Sequence, residues 1–125
     1  MTINRDELLE LEREFWTGNQ AFFAENADRE CLVAFPDMAG VMSNAEIAAT
    51  ATKPNRWRNL EMKLQGIVEP GSDIVMLTYQ AKAIRDNGEP YSALVSSGYV
   101  HRLQGWKMMF HAHTPTRPEA SKASS

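Results

Sequence analysis

Cysteine, clustered charge of one sign and long apolar runs are all scarce in this chain, and each scarcity removes a class of protein. Cys31 is the only cysteine among 125 residues, so an internal disulfide and a tetrathiolate zinc site are both excluded. It lies within Cys31-Leu32-Val33-Ala34-Phe35, where a thiol is expected to be buried and inert; a reducing, cytoplasmic setting fits. The formal net charge is −3, from 13 Lys and Arg against 16 Asp and Glu. The basic residues are scattered, Arg56-Trp57-Arg58 being their longest cluster, so the basic stripe of a nucleic-acid-binding protein is missing and no nucleic-acid partner is expected. No apolar run approaches the roughly 20 residues needed to cross a bilayer. Met1-Thr2-Ile3-Asn4-Arg5-Asp6 also lacks the apolar core of a signal peptide, so no membrane partner is expected either.

What is present reads as one globular domain over residues 1–115. Hydrophobic residues make up 43% and charged residues 23%, and a chain of this size buries roughly two-thirds of its unfolded surface. Residues 5–16 form an amphipathic helix: Leu8, Leu11 and Phe15, with Leu9 and Trp16 beside them, recur at spacings of three and four between charged residues. Asn4 caps it, with Glu7 completing something close to a capping box, and Gly18 suits a left-handed C-terminal cap. A second helix over 20–27 buries Phe22 and Phe23. A strand over 30–35 ends at Pro36, residues 36–40 read as a turn, and Val41-Met42 as a strand stub. Ser43 or Asn44 caps a third helix over 45–52, with Glu46 in its first turn, and Lys53-Pro54-Asn55 ends it.

From Asn59 to Pro115 the period changes to two, and four strands follow in succession. Leu60, Met62 and Leu64 alternate with polar residues, and Gly66 marks a bulge. Val75, Leu77, Tyr79, Ala81 and Ala83 share one face of the next strand. Asn87-Gly88 signals a hairpin into a strand from Pro90 to Leu103, whose one face carries Tyr91, Ala93, Val95, Ser97, Tyr99 and His101. Gln104-Gly105 turns the chain into the last strand, Trp106 to Thr114, and residues 116–125 read as a disordered tail. Helices segregated to one side of an antiparallel sheet make an α+β domain. Long strands with a glycine bulge curve that sheet strongly, and the helices close its hollow into a cone.

This order resembles the nuclear-transport-factor-2-like superfamily, which includes ketosteroid isomerase, scytalone dehydratase, limonene epoxide hydrolase and the SnoaL-like polyketide cyclases. The resemblance rests on Leu8-Leu9-Glu10-Leu11-Glu12-Arg13-Glu14-Phe15-Trp16 with Thr17-Gly18-Asn19, the Phe35-Pro36 turn, Pro54-Asn55-Arg56-Trp57-Arg58, and Tyr99-Val100-His101-Arg102 with Gly105-Trp106-Lys107. It is nearest to an uncharacterised branch of that superfamily and covers about residues 5–115. It implies a cystatin-like cone with a small-molecule cavity, often a homodimer joined through the sheet, and isomerase, cyclase or hydratase chemistry without a cofactor. The alternative is a non-catalytic homodimeric ligand-binding or accessory module.

If the helices cover the face bearing Leu77 and Tyr79, the cavity would also see Phe35, Trp57, Ser97, Tyr99 and Phe110; the same side chains serve equally as core filling. Arg56 and Arg58 would rim Trp57 or simply stay in water while its ring packs inward. In the resembled isomerases the general base is an aspartate just after the first strand. Asp37 falls close to that place, in the order Phe35-Pro36-Asp37 instead of Asp-Pro, an arrangement that also suits a solvated turn. The isomerases' second acid, a protonated aspartate, has no acidic counterpart between Ser92 and Leu103, so steroid isomerisation is not expected. His111 and His113, two apart on a strand, share a face. They could act in acid–base chemistry, chelate a metal with His101 as third ligand, or lie on a polar convex face or dimer seam. The last follows if the more apolar face, Met108, Phe110 and Ala112, points into the cone. The catalytic candidates are therefore Asp37, Tyr79 and His111, with no resident metal or cofactor expected.

Overall fold

The computed structural model describes residues 3–51 and 57–116. The helix stop at Lys53-Pro54-Asn55, the position of Arg56 and the tail from Arg117 onward lie outside the described residues. Three helices, α1 (Arg5–Thr17), α2 (Gln20–Asn26) and α3 (Asn44–Thr50), accompany six strands: β1 (Ala27–Phe35), β2 (Met38–Ser43), β3 (Trp57–Gly71), β4 (Ile74–Arg85), β5 (Pro90–Arg102) and β6 (Gly105–Pro115). The strands form one sheet in the order β2-β1-β6-β5-β4-β3. Neighbours are antiparallel except β1 and β6, which run parallel. The sheet is curved and unclosed, an α+β cone as expected.

Local chemistry accounts for most element ends. Asn4 accepts from the Asp6 amide at 2.7 Å and starts α1. Ser43 and Glu46 make a reciprocal capping box on α3, satisfying donors that the first helical turn leaves unpaired. The expected left-handed cap at Gly18 does not form; its φ is −77°. Glycine is needed there for room, because a Cβ would sit 2.5 Å from the Glu14 carbonyl oxygen. The strand expected from residue 30 begins three residues earlier, at Ala27, and the expected stub at Val41-Met42 is the six-residue β2. Cross-strand pairing with β1 and β6 extends both beyond what their own side chains indicate.

The sheet's inner face is the one read from alternation. Val75, Leu77, Tyr79, Ala81 and Ala83 of β4 are buried, as are Ala93, Val95, Ser97 and Tyr99 of β5. Leu8, Phe15 and Trp16 of α1 and Phe23 of α2 complete the core; burying a side chain such as Leu8 contributes roughly 1.5–3 kcal/mol. Bulges bend the long strands. On β3, Leu64 faces Tyr79 while Gly66 faces Thr78, leaving Gln65 as the extra residue beside the expected glycine. Asn59, with φ 54°, marks another.

The bulge on β6 matters most. Tyr99 faces Met108 while Gly98 faces Phe110, so Met109 is inserted between them. One extra residue exchanges the two faces of every residue beyond it. Met108 is buried inside as expected, but Phe110 and Ala112 turn to the convex side and His111 and His113 turn inward. The expectation of a convex or seam position for the histidines is thereby corrected.

Candidate functional site

The buried stripe of α1 is Leu8, Glu12, Phe15 and Trp16, so a carboxyl group is carried into the core among apolar neighbours. Glu12 is 0% exposed. The Tyr79 hydroxyl of β4 donates to its Oε1 at 2.6 Å and the Tyr99 hydroxyl of β5 to its Oε2 at 2.5 Å. Trp16 Nε1 donates to the Tyr79 oxygen at 2.9 Å. An indole N–H can only donate, so the single Tyr79 proton is directed to Glu12. Burial raises the Glu12 pKa above its ordinary value, opposed by hydrogen bonds from Tyr79, Tyr99 and Ser97. Burial and the neighbouring Glu12 push both tyrosines upward in turn.

A second polar group continues from Ser97. Its Oγ lies 2.7 Å from His111 Nδ1, His111 Nε2 lies 3.0 Å from His113 Nε2, and His113 Nδ1 lies 2.9 Å from the Tyr91 hydroxyl. The His113 ring stacks on Trp16 at 5.1 Å. Burial pushes His111 down to about 4; burial, then the neighbouring His111, push His113 down to about 3. Both rings are therefore neutral at pH 7. Of the two facing Nε2 atoms, one carries a hydrogen and the other accepts it. Among the described residues, no buried side-chain nitrogen or oxygen lacks a hydrogen-bond partner.

His111 also borders open space. One cavity of about 190 Å³ is lined by Phe15, Phe35, Met42, Ile47, Thr50 and His111, among others. A second, of about 160 Å³, adds Trp16, Trp57 and His113. Phe15, Phe23, Phe35, Thr50 and His111 line both, so the two adjoin at the mouth of the cone. Apolar walls with a few placed polar groups are the usual make-up of a small-molecule site; here the imidazoles border it as uncharged rings, the nitrogens of both engaged with Ser97, Tyr91 and each other. A wider groove of about 730 Å³ lies at the other end, near Glu25, Asp28, Arg102 and Lys107. Two of its charged side chains are engaged locally: Arg102 bridges Asp28 at 2.8 Å, and Lys107 donates to the Glu25 backbone carbonyl.

The structure brings some of the expected residues together and not others. Phe35 and His111 line both cavities and Trp57 lines one. Trp57 packs edge-on against Trp16 at 5.1 Å, with the Arg85 guanidinium 5.1 Å from its ring. Ser97 lies beneath His111. Tyr79 and Tyr99 are in the cone's core, committed to Glu12. Phe110 does not reach the cavity, being opposite Gly98 on the convex face. Asp37 is in the exposed β1–β2 turn, outside both linings. His101 packs on Trp106 at 5.0 Å, four residues along β5 from Ser97 and so roughly 13 Å from the pair. Among the described residues, no three His, Cys, Asp or Glu side chains converge as metal ligands. Cys31 is buried, and burial pushes its thiol up to about 12, the inert state expected of it. Glu12 was missed as a site residue; the available signal was its place four residues after Leu8 and four before Trp16, on the helix's apolar stripe.

No family model matches the chain, and no curated protein matches it in sequence. Solved structures do match in shape. An NTF2-like protein of unknown function from Prochlorococcus marinus is 14% identical, with a TM-score of 0.71 over 97% of this chain and 99% of that one. A ketosteroid isomerase-like protein from Erwinia carotovora is 11% identical, with a TM-score of 0.70 over 89% and 92%. The association domain of C. elegans CaMKII is 12% identical, with a TM-score of 0.64 over 87% and 90%. Identities this low speak to fold alone, and with the helix order, the curved sheet and the cone already described they establish that this chain has the nuclear-transport-factor-2-like fold.

Proposed function

We propose that this protein is a small-molecule-binding domain whose ligand, small and largely apolar, occupies the adjoining cavities at the cone's mouth and packs against the uncharged ring of His111. The observation that carries the reading is that His111, held in place by Ser97 and His113, borders both cavities. A dry space of about 150 Å³ accommodates a benzene ring, so cavities of about 190 and 160 Å³ suit a compound of one or two rings. Uncharged rings and apolar walls favour a neutral ligand over an anion. Proton-transfer chemistry of the isomerase, cyclase or hydratase type would require His111 to release its Ser97 or His113 partner and serve as base; binding without turnover is the primary reading, since among the described residues no carboxylate lines either cavity.

A homodimer through the convex sheet face is the partner reading. It is supported by exposed Leu32, Val41 and Leu94 on that face, continuous with Met76, Phe110 and Ala112, and by the fold's appearance in an association domain. No helix among the described residues is long and apolar enough to cross a membrane, and the buried thiol of Cys31 suits a cytoplasmic setting.

The test is titration with indole and phenol, read by the fluorescence of Trp16 and Trp57 beside the cavity. Thr50→Phe, which fills space bordering both cavities from an exposed position, is expected to weaken binding at least tenfold, whereas Asp37→Asn leaves it unchanged. Equal binding by wild type and Thr50→Phe would sink the proposed location.

A further inference from the structure

The two edges of the sheet are unequal. At one edge β3 carries Arg58, Glu61, Lys63 and Glu69, ends at Pro70-Gly71, and breaks register with β4 at three places. Charge, proline and bulges are the usual means of keeping an edge strand from pairing with another chain. At the other edge β2 has none of them. Met38-Ala39-Gly40-Val41-Met42-Ser43 is uncharged, pairs with β1 without a shift, and is exposed from Met38 to Val41.

The cap of α3 shows which backbone groups of β2 are free. The Ser43 N–H is held by Glu46 Oε1 at 2.8 Å, so Glu30 and Ser43 make a non-hydrogen-bonded pair of the antiparallel ladder. Bonded and non-bonded pairs alternate. Met42, Gly40 and Met38 therefore bond to Cys31, Val33 and Phe35, and Ala39 and Val41 turn their N–H and C=O groups away from β1. Among the described residues, no hydrogen bond reaches those outward groups. The side chains alternate as well: Ala39 and Val41 lie on the convex side, Met38 and Met42 toward the cavity that they line.

We propose that β2 pairs antiparallel with β2 of a second copy of this chain, about a two-fold axis through Gly40. Ala39 and Val41 are two residues apart, so one register satisfies both. Ala39 stands opposite the second copy's Val41 and Val41 opposite its Ala39, each pair exchanging N–H···O bonds in both directions. Gly40 then faces its own counterpart in the intervening non-bonded pair, where Cα atoms approach to roughly 4.5 Å. Its φ of 145° is backbone that other residues rarely adopt, and a Cβ there would meet nothing within 4 Å in its own chain, which leaves the space open to the second backbone. On the convex side Val41, 62% exposed, covers the second copy's Ala39; on the inner side Met38, 42% exposed, meets its Met42. Because Met38 and Met42 both border the cavity of about 190 Å³, each copy's Met38 is set beside the other's cavity wall.

Symmetry and charge favour a second copy over a foreign strand. An uncharged edge matches an uncharged mate, and the register that satisfies Ala39 and Val41 is its own mirror partner under a two-fold. With β3 blocked, molecules do not add β2 to β3 in an open series, and the isologous contact closes on itself. So short a contact lies below the roughly 1,200 Å² of a stable interface, so it forms at high concentration. It is separate from the convex-face dimer, since Leu94 is on β5, three strands from β2, and it needs no ligand.

Leu94→Glu removes the convex contact and isolates this one. The full chain carrying it is expected to pass from monomer to dimer in sedimentation between micromolar and near-millimolar concentration. Over the same range amide hydrogen exchange is expected to slow severalfold at Ala39 and Val41 and to change least at Gly40 and Met42, already bonded to β1. Ala39→Pro in that background deletes an outward N–H and spares the β1 ladder, a change that edge strands tolerate. It is expected to keep the protein monomeric with circular dichroism unchanged. Ala39→Lys, which sets an ammonium opposite the second copy's Val41, carries the test if Ala39→Pro does not fold. A Leu94→Glu protein that stays monomeric, that associates without slower exchange at Ala39 and Val41, or that associates equally with either Ala39 substitution would overturn the pairing. So would an unrelated uncharged strand peptide that slows the same amides in a protein that stays monomeric, which would assign the edge to a foreign strand. If Leu94→Glu is already a dimer at micromolar concentration, the convex-face reading fails, and exchange at Ala39 and Val41 with and without Ala39→Pro still decides this one.

Discussion

Replacing Glu12 by Gln preserves the side chain's shape and isolates the worth of its buried carboxyl. The Tyr79 hydroxyl, committed to donation because Trp16 Nε1 occupies its oxygen, keeps an acceptor in the amide oxygen. The amide nitrogen then faces Tyr99, whose oxygen lies 2.5 Å from Glu12 Oε2 in wild type. Two donors meet, and the Tyr99 hydrogen is orphaned in a site with 0% exposure. An unmade buried hydrogen bond of this kind costs about 1–3 kcal/mol, which at roughly 4 °C per kcal/mol lowers Tm by roughly 4–12 °C for a domain of this size. The cost is pH-dependent in a fixed direction. Burial raises the Glu12 pKa above 4.5, so the folded state keeps a proton that the unfolded chain has released. That contribution is fully present below the unfolded value and is lost as pH rises through the folded value. Gln does not titrate. Urea unfolding of both proteins at about pH 5 and about pH 8 therefore gives a deficit for Glu12→Gln that is larger at the lower pH. Other groups cancel in the difference. A deficit that grows toward the higher pH would refute the reasoning, because it would make the carboxylate the favoured form in the core.

The histidines impose the opposite slope. Their folded-state values lie below 6.5, at about 4 for His111, so their stabilisation is present above about pH 6.5 and lost as pH falls through the folded values; for His111 the loss is on the order of 3 kcal/mol. The double variant His111→Asn, His113→Asn is expected to lose less stability than wild type between those limits by urea unfolding, and parallel curves would refute the assignment. At the convex face, where the homodimer is proposed, wild type is expected to sediment as a dimer at micromolar concentration and Leu94→Glu as a monomer, with circular dichroism unchanged. A variant that sediments as wild type would place the contact elsewhere.

How much was legible follows from what each residue pattern could encode. Alternation along Val75–Ala83 and Ala93–Tyr99 identified the inner face, because a strand's side chains repeat every two residues whatever lies opposite. Gly66 announced its bulge, since a residue without a side chain weakens a strand where it stands. Met109 announced nothing. It lies in the run Met108-Met109-Phe110, where either parity buries an apolar group, and the choice fell to pairing with β5 across Gly98. A Cβ at Gly98 would stand 3.3 Å from the Phe110 Cβ and 3.2 Å from the Met109 Cε, so that crossing is already tightly filled. The wrong parity carried Phe110 into the expected site and His111 toward the outside. Glu12 was overlooked for a related reason: a glutamate between other charged residues reads as solvated until its distant partners are known.

The sequence by itself determined the α+β order, the succession of four long strands, the helix starts and the apolar lining of the cone, because these depend on local periodicity and on residues that cap or break elements. Only the tertiary structure decided that a single inserted residue turns two histidines inward. It also decided that two tyrosines more than sixty residues from Glu12 in the chain supply the hydroxyls that let a carboxyl remain in the core. Contacts across such separations leave no period in the sequence; they are selected by the joint packing of α1, β4, β5 and β6, and with them the polar character of the candidate site.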